Sequence, residues 1–232
     1  MSLNSTKEAY DVISESYLSK KTQIWYELSQ NVEALSSSAS GIFYDIGCGN
    51  GRNIQKLDRT LIVGLDISQQ LLRNFTVSTA ERVSGSITQL PFRRKSASEA
   101  ISIAVIHHLP TYELRTRALQ ECHRSLSSHG ILIVSVWRKW RSGMREKLFG
   151  RIRNSSKIDD LVDELRPWKD SSGLVIGHRY YHYYTWKELW YQINEAEFKL
   201  VKSLKMGGKA NDANFLIWLS KSSQETEVSQ ML

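Results

Sequence analysis

The chain has few cysteines and no long apolar run, and each of these shortages excludes a class of protein. Its 232 residues include only Cys48 and Cys122, too few for a disulfide framework, and no Cys/His spacing is typical of a zinc site. The longest apolar runs, such as Ile131–Val136, are far too short to span a bilayer, and the first thirty residues lack an apolar segment. We therefore expect a soluble protein of the cytoplasm, with the nucleus as a second location, that binds no metal itself and no membrane.

Basic residues outnumber acidic ones, and the excess is concentrated in one part of the chain. The net charge of +7 and the isoelectric point near 9.4 favour a polyanionic partner, because Lys and Arg release counterions when they bind phosphates. The densest stretch comprises Arg138, Lys139, Arg141, Arg145, Lys147, Arg151, Arg153 and Lys157, with Trp137, Trp140 and Phe149 interleaved. This run is interpreted either as a contact for phosphates and bases or as a solvated helix face.

Short apolar segments alternate with amphipathic ones, which predicts a parallel sheet with crossover helices. The predicted strands are Ile42–Ile46, Leu61–Leu65, Val83–Ile87, Ala100–Ile106, Ile131–Trp137, Lys199–Leu204 and Asn214–Leu219. The predicted helices are Arg52–Leu57, Gln69–Thr79, Glu113–Ser125 after a Thr111 cap, and Trp186–Glu195. We expect an α/β fold with a doubly wound, mostly parallel seven-stranded sheet, preceded by one or two N-terminal helices within Ser5–Leu35.

The composition predicts one domain spanning residues 1–221. Residues 138–178 change from basic to acidic and then to Ser- and Gly-containing, which favours a basic, helical or mobile insertion over a core element. Arg179–Tyr184 is expected to open the closing unit of the domain. The polar residues 222–232 are expected to be a disordered tail.

The segment Asp45–Gly51 reads Asp-Ile-Gly-Cys-Gly-Asn-Gly and follows the first predicted strand. Glycines at this point let the backbone approach a ligand closely, and the following helix N-terminus offers free N–H groups to a carboxylate. Asp66 ends the next strand, where its two oxygens can accept both hydroxyls of a ribose. The residues predicted to bind a cofactor are Asp45, Gly47, Cys48, Gly49, Asn50, Gly51, Asp66, Ile67, Ser86, Ile87, Ile103 and Ala104.

S-adenosylmethionine is favoured over a dinucleotide as the cofactor. A pyrophosphate normally needs a G-x-G-x-x-G loop, whereas the spacing here is G-x-G-x-G. Asp45 would repel a phosphate but suits the ammonium group of methionine. A glycine-rich turn that only reverses the chain is the remaining interpretation, and Asp66 argues against it.

Two further motifs point to the substrate side. The predicted fourth strand runs into His107 and His108 at the carboxyl end of the sheet, where ligands of open α/β sheets bind, and the motif Arg179-Tyr180-Tyr181-His182 follows later. Together with the glycine loop and the segment 9–13, these motifs resemble the eukaryotic-type tRNA wobble-uridine carboxymethyl methyltransferases, a branch of the class I methyltransferases. The resemblance covers most of Tyr10–Lys221.

This resemblance implies methyl transfer to the carboxylate of 5-carboxymethyluridine in the tRNA anticodon, giving the methyl ester 5-methoxycarbonylmethyluridine. It also implies a heterodimer with a small zinc-binding activator subunit that covers the sheet edge. The basic run 138–157 would then follow the phosphates of the anticodon stem.

The substrate carboxylate is already ionised at neutral pH, so positioning matters more than a general base. We assign Arg179 to orienting that carboxylate, His108 and His182 to hydrogen bonds with the carboxymethyl group or base edge, and Tyr181 to stacking. Tyrosines that only fill the core are the alternative for this motif.

Two positions depart from the family pattern. Ser86 stands where the family commonly has an Asp that accepts the adenine amino group, and loss of the charge predicts weaker cofactor binding by on the order of 1 kcal/mol. Lys21 stands where the family has an Arg, so it would meet the substrate as a point charge without a bidentate fork.

Two other functions stay open at this stage. One is a small-molecule carboxyl or O-methyltransferase on the same fold, against which the basic run argues. The other is a non-catalytic protein that keeps the fold as a scaffold, which Ser86 and Lys21 make conceivable and the intact glycine loop opposes.

Overall fold

A computed structural model of the protein describes residues 3–20, 28–32, 41–59, 61–139, 163–208 and 210–221. The helices are α1 (Leu3–Lys20), α2 (Gln69–Arg73), α3 (Tyr112–Ser125) and α4 (Trp186–Glu195), and residues 28–32 are also helical. The strands are β1 (Ile42–Ile46), β2 (Ile62–Asp66), β3 (Ala80–Ser84), β4 (Ala97–Ile103), β5 (Leu126–Trp137), β6 (Asp163–Lys169), β7 (Val175–His182), β8 (Lys199–Met206) and β9 (Asn214–Ser220). Short 3-10 turns occur at Arg52–Ile54 and Ile106–His108.

Seven of the strands form one sheet in the order β3-β2-β1-β4-β5-β9-β8. Strands β1 to β5 pair in parallel, and β9 runs antiparallel between β5 and β8. The strand order reverses between β1 and β4, so a crevice opens at their carboxyl ends. The predicted doubly wound, mostly parallel seven-stranded fold is confirmed.

The central strands are buried because helices cover both faces of the sheet. Ile101 on β4 and Leu132 and Ile133 on β5 are fully buried. One face packs against α3 and α4, and the other packs against Leu28 and Val32 of the helical residues 28–32. Continuous apolar runs at the centre of the sheet follow from this two-sided burial.

The crossover segments differ from the sequence expectation in length and position. The helix predicted for Arg52–Leu57 is a single 3-10 turn, Arg52–Ile54, and the helix predicted for Gln69–Thr79 stops at Arg73. The third strand lies at Ala80–Ser84 instead of Val83–Ile87, and β4 ends at Ile103 instead of Ile106. Helix α3 begins at Tyr112, one residue before the predicted Glu113, and the predicted Thr111 cap is confirmed, because its side chain accepts the N–H of Leu114.

The insertion predicted for residues 138–178 is not helical in its described second half. Strands β6 and β7 form an antiparallel hairpin outside the main sheet. Asp170 closes its turn, since its Oδ1 accepts the N–H groups of Ser172 and Leu174. The change from acidic to Ser- and Gly-containing sequence therefore marks a hairpin with an Asx-type turn. Residues 140–162, with most of the basic run, and the tail 222–232 lie outside the described residues.

Helix α1 lies against the hairpin and against α2. A Cβ atom on Gly177 of β7 would come within 2.9 Å of the Ile13 side chain, and the Trp168 indole donates to the Ser16 hydroxyl. Asp11 accepts hydrogen bonds from the Ser68 hydroxyl and the Gln70 N–H at the start of α2. These contacts fix α1 across the carboxyl ends of the strands. Among the described residues, no helix is long and apolar enough to cross a membrane.

Candidate functional site

The glycine loop after β1 is folded tightly against the end of β2. Gly47 has a φ of 82°, and a Cβ atom there would lie 2.1 Å from a methyl carbon of Val105. The N–H groups of Gly47 and Cys48 both donate to the carbonyl of Leu65. A side chain at position 47 would therefore break the loop, which explains why the sequence has Gly there.

Asp66 at the end of β2 is held by two backbone donors. Its Oδ2 accepts the N–H of Gly49 at 2.8 Å, and its Oδ1 accepts the N–H of Ser68 at 2.8 Å. Each carboxylate oxygen retains a second acceptor position that can receive a ribose hydroxyl. Burial raises the pKa of Asp66 to about 6, even though the backbone donors oppose that rise.

Asp45 lies deeper than predicted. It is fully buried, it is not part of the cavity wall, and neither of its carboxyl oxygens has a hydrogen-bond partner among the described residues. Burial, followed by the nearby charge of Asp66, raises the pKa of Asp45 to about 8. A ligand that brings an ammonium group to this loop would favour the ionised carboxylate, and the residues present thus fit S-adenosylmethionine.

A cavity opens beside the glycine loop. The residues predicted to bind the cofactor all line this cavity, except Asp45 and Gly51. Gly51 instead turns the chain, with a φ of 84°. Burial raises the pKa of the Cys48 thiol well above its usual range, so Cys48 lines the cavity as a neutral thiol. The cavity also has a wall from α1, which contributes Thr6, Tyr10 and Tyr17.

Ser86 lies on the cavity wall between Gly85 and Ile87. Its hydroxyl oxygen accepts the N–H of Thr88 and lies 2.8 Å from the Thr88 hydroxyl. The same turn that presents Ser86 to the cavity therefore occupies part of its hydrogen-bonding capacity.

Ala104 stands at the junction between the cofactor cavity and a second cleft, and it lines both. Its φ is 60°, a left-handed conformation that non-glycine residues rarely adopt. The Ala104 N–H donates to the Ser135 side chain at 2.9 Å, which holds this conformation in place. Backbone strain of this kind clusters where a protein binds ligands.

His108 is held in one tautomer by two partners inside the protein. Its Nδ1 lies 2.7 Å from the carbonyl oxygen of Tyr180, which can only accept, so Nδ1 carries the proton. Burial lowers the pKa of His108 to about 3, and the neutral ring accepts the Tyr10 hydroxyl at Nε2, 2.7 Å away. Both ring nitrogens of His108 are therefore hydrogen-bonded within the protein. This differs from the prediction that His108 forms a hydrogen bond with the substrate. His108 instead positions Tyr10.

His182 also differs from its predicted role. Its Nδ1 lies 2.7 Å from Asp163, and its Nε2 lies 2.8 Å from Glu188, which also binds Arg115. Side chains alternate along β7, so Arg179 and Tyr181 face the cleft while Tyr180 and His182 face away from it. His182 therefore holds the hairpin to α4 and does not reach the substrate.

The second cleft is lined by aromatic and basic side chains. The aromatic residues are Tyr10, Tyr17, Trp137, Trp168 and Tyr181, with His107 and His108 beside them. The basic residues are Lys20, Arg52, Arg166, Lys169 and Arg179. Among the described residues, no Asp or Glu lines this cleft. It is thus suited to a planar, anionic ligand.

Arg179 lies flat on aromatic rings inside this cleft. Its guanidinium carbon is 4.4 Å from the centre of the Trp168 ring and 5.0 Å from that of Tyr181. Its Nε is buried and has no hydrogen-bond partner among the described residues. Stacking restricts the guanidinium, and the N–H groups that it does not share with the Tyr10 hydroxyl can hold a carboxylate. Lys21 lies outside the described residues.

Several lining residues were not predicted as site residues from the sequence. Tyr10 and Tyr17 are seven positions apart on one face of α1, a spacing that indicates packing as readily as binding. His107 is fully buried, stacks on Tyr181 and has no hydrogen-bond partner for either ring nitrogen among the described residues. The basic residues Arg52 and Arg166 carry no motif signal by which sequence reasoning could have found them.

Comparison with known proteins gives a consistent result. A methyltransferase domain model matches residues 44–134. A tRNA (carboxymethyluridine(34)-5-O)-methyltransferase of Arabidopsis thaliana is 31% identical over 128 residues, which is 55% of this chain and 31% of the relative. The chain thus spans less than a third of that protein's length. A putative methyltransferase of Encephalitozoon cuniculi is 32% identical over 161 residues, covering 69% of this chain and 71% of the relative.

Solved structures share the fold at low identity. A SAM-dependent methyltransferase of Methanosarcina mazei superposes with a TM-score of 0.66 at 16% identity, covering 87% of this chain and 100% of that one. A putative methyltransferase in complex with the Trm112 methyltransferase activator of Haloferax volcanii gives a TM-score of 0.62 at 12% identity, covering 96% and 100%. The chain belongs to the methyltransferase family and has the fold of its S-adenosylmethionine-dependent members.

Proposed function

We propose that the protein is an S-adenosylmethionine-dependent tRNA methyltransferase that esterifies the carboxylate of 5-carboxymethyluridine at the wobble position. The observation that carries this proposal is the aromatic, cationic cleft that meets the cofactor cavity at Ala104 and His108. A uracil ring with an attached carboxylate matches both features of such a cleft. The names of the Arabidopsis relative and of several vertebrate relatives support the same substrate.

The cofactor cavity would hold S-adenosylmethionine through three groups. Asp66 would accept the ribose hydroxyls, the glycine loop would receive the methionine end with Asp45 buried behind it, and Ser86 with Ile87 would lie against the adenine. When bound, the cofactor supplies an electrophilic methyl group on a sulfonium centre.

The protein's task at the reacting end is positioning. A carboxylate oxygen is already a nucleophile at neutral pH and forms the new O–C bond without losing a proton. Arg179 would hold the other carboxylate oxygen, while Tyr181 packs against the base. The surrounding rings exclude water, which favours a transition state in which the two opposite charges are being neutralised.

Two further parts of the proposal concern partners and location. We propose a small zinc-binding activator as the second subunit of a heterodimer, a suggestion supported by the fold shared with a methyltransferase bound to the Trm112 activator. The anticodon stem-loop of tRNA would bind in part through the basic run between residues 138 and 157, and the protein would act in the cytoplasm.

Methyl transfer to tRNA tests this proposal. Purified protein, with the co-expressed activator, is incubated with S-adenosylmethionine and with tRNA that carries 5-carboxymethyluridine, and the nucleosides are then analysed by mass spectrometry. The wild type is expected to form the alkali-labile methyl ester. Arg179→Gln is expected to lower kcat/KM by roughly tenfold to a hundredfold, the range for one charge-assisted pair, with S-adenosylhomocysteine affinity unchanged.

The exposed Lys187 on α4 provides the matched control, because Lys187→Gln removes one positive charge away from the cleft. This control should keep the wild-type rate. Wild-type activity in Arg179→Gln would refute the assignment. Esterification of small carboxylic acids, with no reaction on tRNA, would favour a small-molecule methyltransferase instead.

A further inference from the structure

Two arginines face each other across the hairpin that walls the cleft. Arg166 on β6 and Arg179 on β7 are direct cross-strand partners in the antiparallel register. Like charges at such positions destabilise a strand pair unless something else compensates for their repulsion. Both side chains line the cleft, in which none of the described lining residues is acidic.

The aromatic rings of the cleft hold both guanidinium groups in place. The Arg166 guanidinium carbon lies 5.2 Å from the centre of the Trp137 ring and 5.7 Å from that of Tyr181. Tyr181 also carries Arg179, at 5.0 Å, so one ring supports both charges. Cation–π contacts of this kind orient a guanidinium but leave its N–H donors available.

One acid of the hairpin, Glu164, forms only a long ion pair with Arg166. Glu164 approaches the Arg166 Nε at 3.8 Å, a distance too long for a hydrogen bond. The same Glu164 carboxylate already accepts the Tyr183 hydroxyl at 2.6 Å. The hairpin therefore presents two cations to one cleft, which matches a ligand with more than one anionic group.

The two arginines lie at different depths. The Nε of Arg179 is buried and its charge acts on Tyr10 and His108, which border the cofactor cavity, whereas the Arg166 side chain is 36% exposed. The inner arginine is thus the one near the reacting carboxylate. The outer arginine lies toward the solvent, where the sugar-phosphate chain of a nucleotide would leave the cleft.

We propose that Arg166 is a specificity-determining residue that binds a backbone phosphate of the nucleotide whose carboxylate is held by Arg179. This proposal rests on the proposed function and deepens it. It means that the cleft distinguishes a nucleotide within RNA from the free nucleoside by direct contact next to the reacting base. Such a contact would act in addition to any binding of distant phosphates.

The kinetic test compares 5-carboxymethyluridine with its 3′,5′-bisphosphate, which imitates a nucleotide within a chain. The wild type is expected to prefer the bisphosphate by roughly tenfold to a hundredfold in kcat/KM, as one charge-assisted contact predicts. Arg166→Gln should lose most of this preference, and Arg166→Lys should recover part of it. Arg179→Gln should lower the rate on both substrates.

A binding measurement keeps the two proposals separate. Uridine 3′,5′-bisphosphate, which has no carboxylate, is titrated into protein loaded with S-adenosylhomocysteine. The wild type should bind it at least tenfold more tightly than Arg166→Gln, whereas the exposed control Arg94→Gln should match the wild type. Equal affinity of wild type and Arg166→Gln overturns the role of Arg166, whatever the outcome for methylation. Tighter wild-type binding without any esterification would uphold the phosphate site and refute the proposed reaction.

Discussion

Asp66 is arranged for a ligand before any ligand binds. Two backbone N–H groups fix its carboxylate at 2.8 Å each, and burial raises its pKa to about 6. The two effects oppose each other, because the donors favour the ionised form and burial disfavours it. At neutral pH the carboxylate is mostly ionised and already oriented, so binding of ribose hydroxyls requires little rearrangement.

This arrangement predicts a pH dependence of cofactor binding. Only the ionised Asp66 accepts both ribose hydroxyls, so the affinity is complete above its raised pKa and is lost as the pH falls through about 6. Between pH 7 and pH 5, S-adenosylhomocysteine affinity should fall about tenfold more in the wild type than in Asp66→Asn, which cannot titrate. Isothermal titration in a single mixed buffer measures both profiles. Identical profiles would show that Asp66 is not the titrating group.

Strand alternation explains which residues of the Arg179–His182 motif face the cleft. The motif itself indicated a site, and the cleft does contain Arg179 and Tyr181. His182 was assigned to the substrate because the motif was treated as one unit, although every second residue of a strand faces the opposite side. Its partners Asp163 and Glu188 lie on the other strand of the hairpin and in the first turn of α4, 19 and 6 residues away, and no motif in the sequence reveals them.

At the scale of elements, α1 forms one wall of the cofactor cavity. Its attachment depends on Asp11, which accepts the Ser68 hydroxyl and the Gln70 N–H at the start of α2 and pairs with Lys7. Tyr10, one residue earlier, reaches His108. Loss of Asp11 should therefore loosen the wall without altering any residue that touches the cofactor.

The variant Asp11→Ala is expected to lower the free energy of unfolding by about 1–3 kcal/mol, because it leaves the donors at the start of α2 without their carboxylate. Its S-adenosylhomocysteine affinity should fall several-fold as the wall loosens. Glu8→Ala changes an exposed carboxylate of the same helix and serves as the control. Denaturant unfolding and titration test both variants. Equal behaviour of the two variants would contradict the role of α1 as a wall.

The strands of the main sheet were easier to predict than the elements that connect them. Buried parallel strands such as β4 and β5 give continuous apolar runs, and α3 and α4 have clear N-caps in Thr111 and Thr185. The short turns after β1 and β2 carry no such periodicity. The β6–β7 hairpin was missed because its strands lie outside the main sheet and contain many charged residues, which look like an insertion.

At the scale of the whole molecule, the fold places two different environments side by side. The reversal of strand order between β1 and β4 opens a crevice. The glycine loop and the end of β2 line one half of this crevice. The β6–β7 hairpin and α1 line the other half. One half offers the Asp66 carboxylate to a cationic nucleoside, while the other offers guanidinium groups to an anion. Their junction at Ala104 is therefore the place where a methyl group would pass from one ligand to the other.

A crystal structure of the protein with S-adenosylhomocysteine and 5-carboxymethyluridine tests this account most directly. The account predicts the adenosine ribose on Asp66, the uracil ring against Tyr181, the carboxylate on Arg179 and the thioether sulfur beside Ala104. Electron density for the nucleoside outside the hairpin cleft, or for the thioether nucleoside away from the glycine loop, would contradict it.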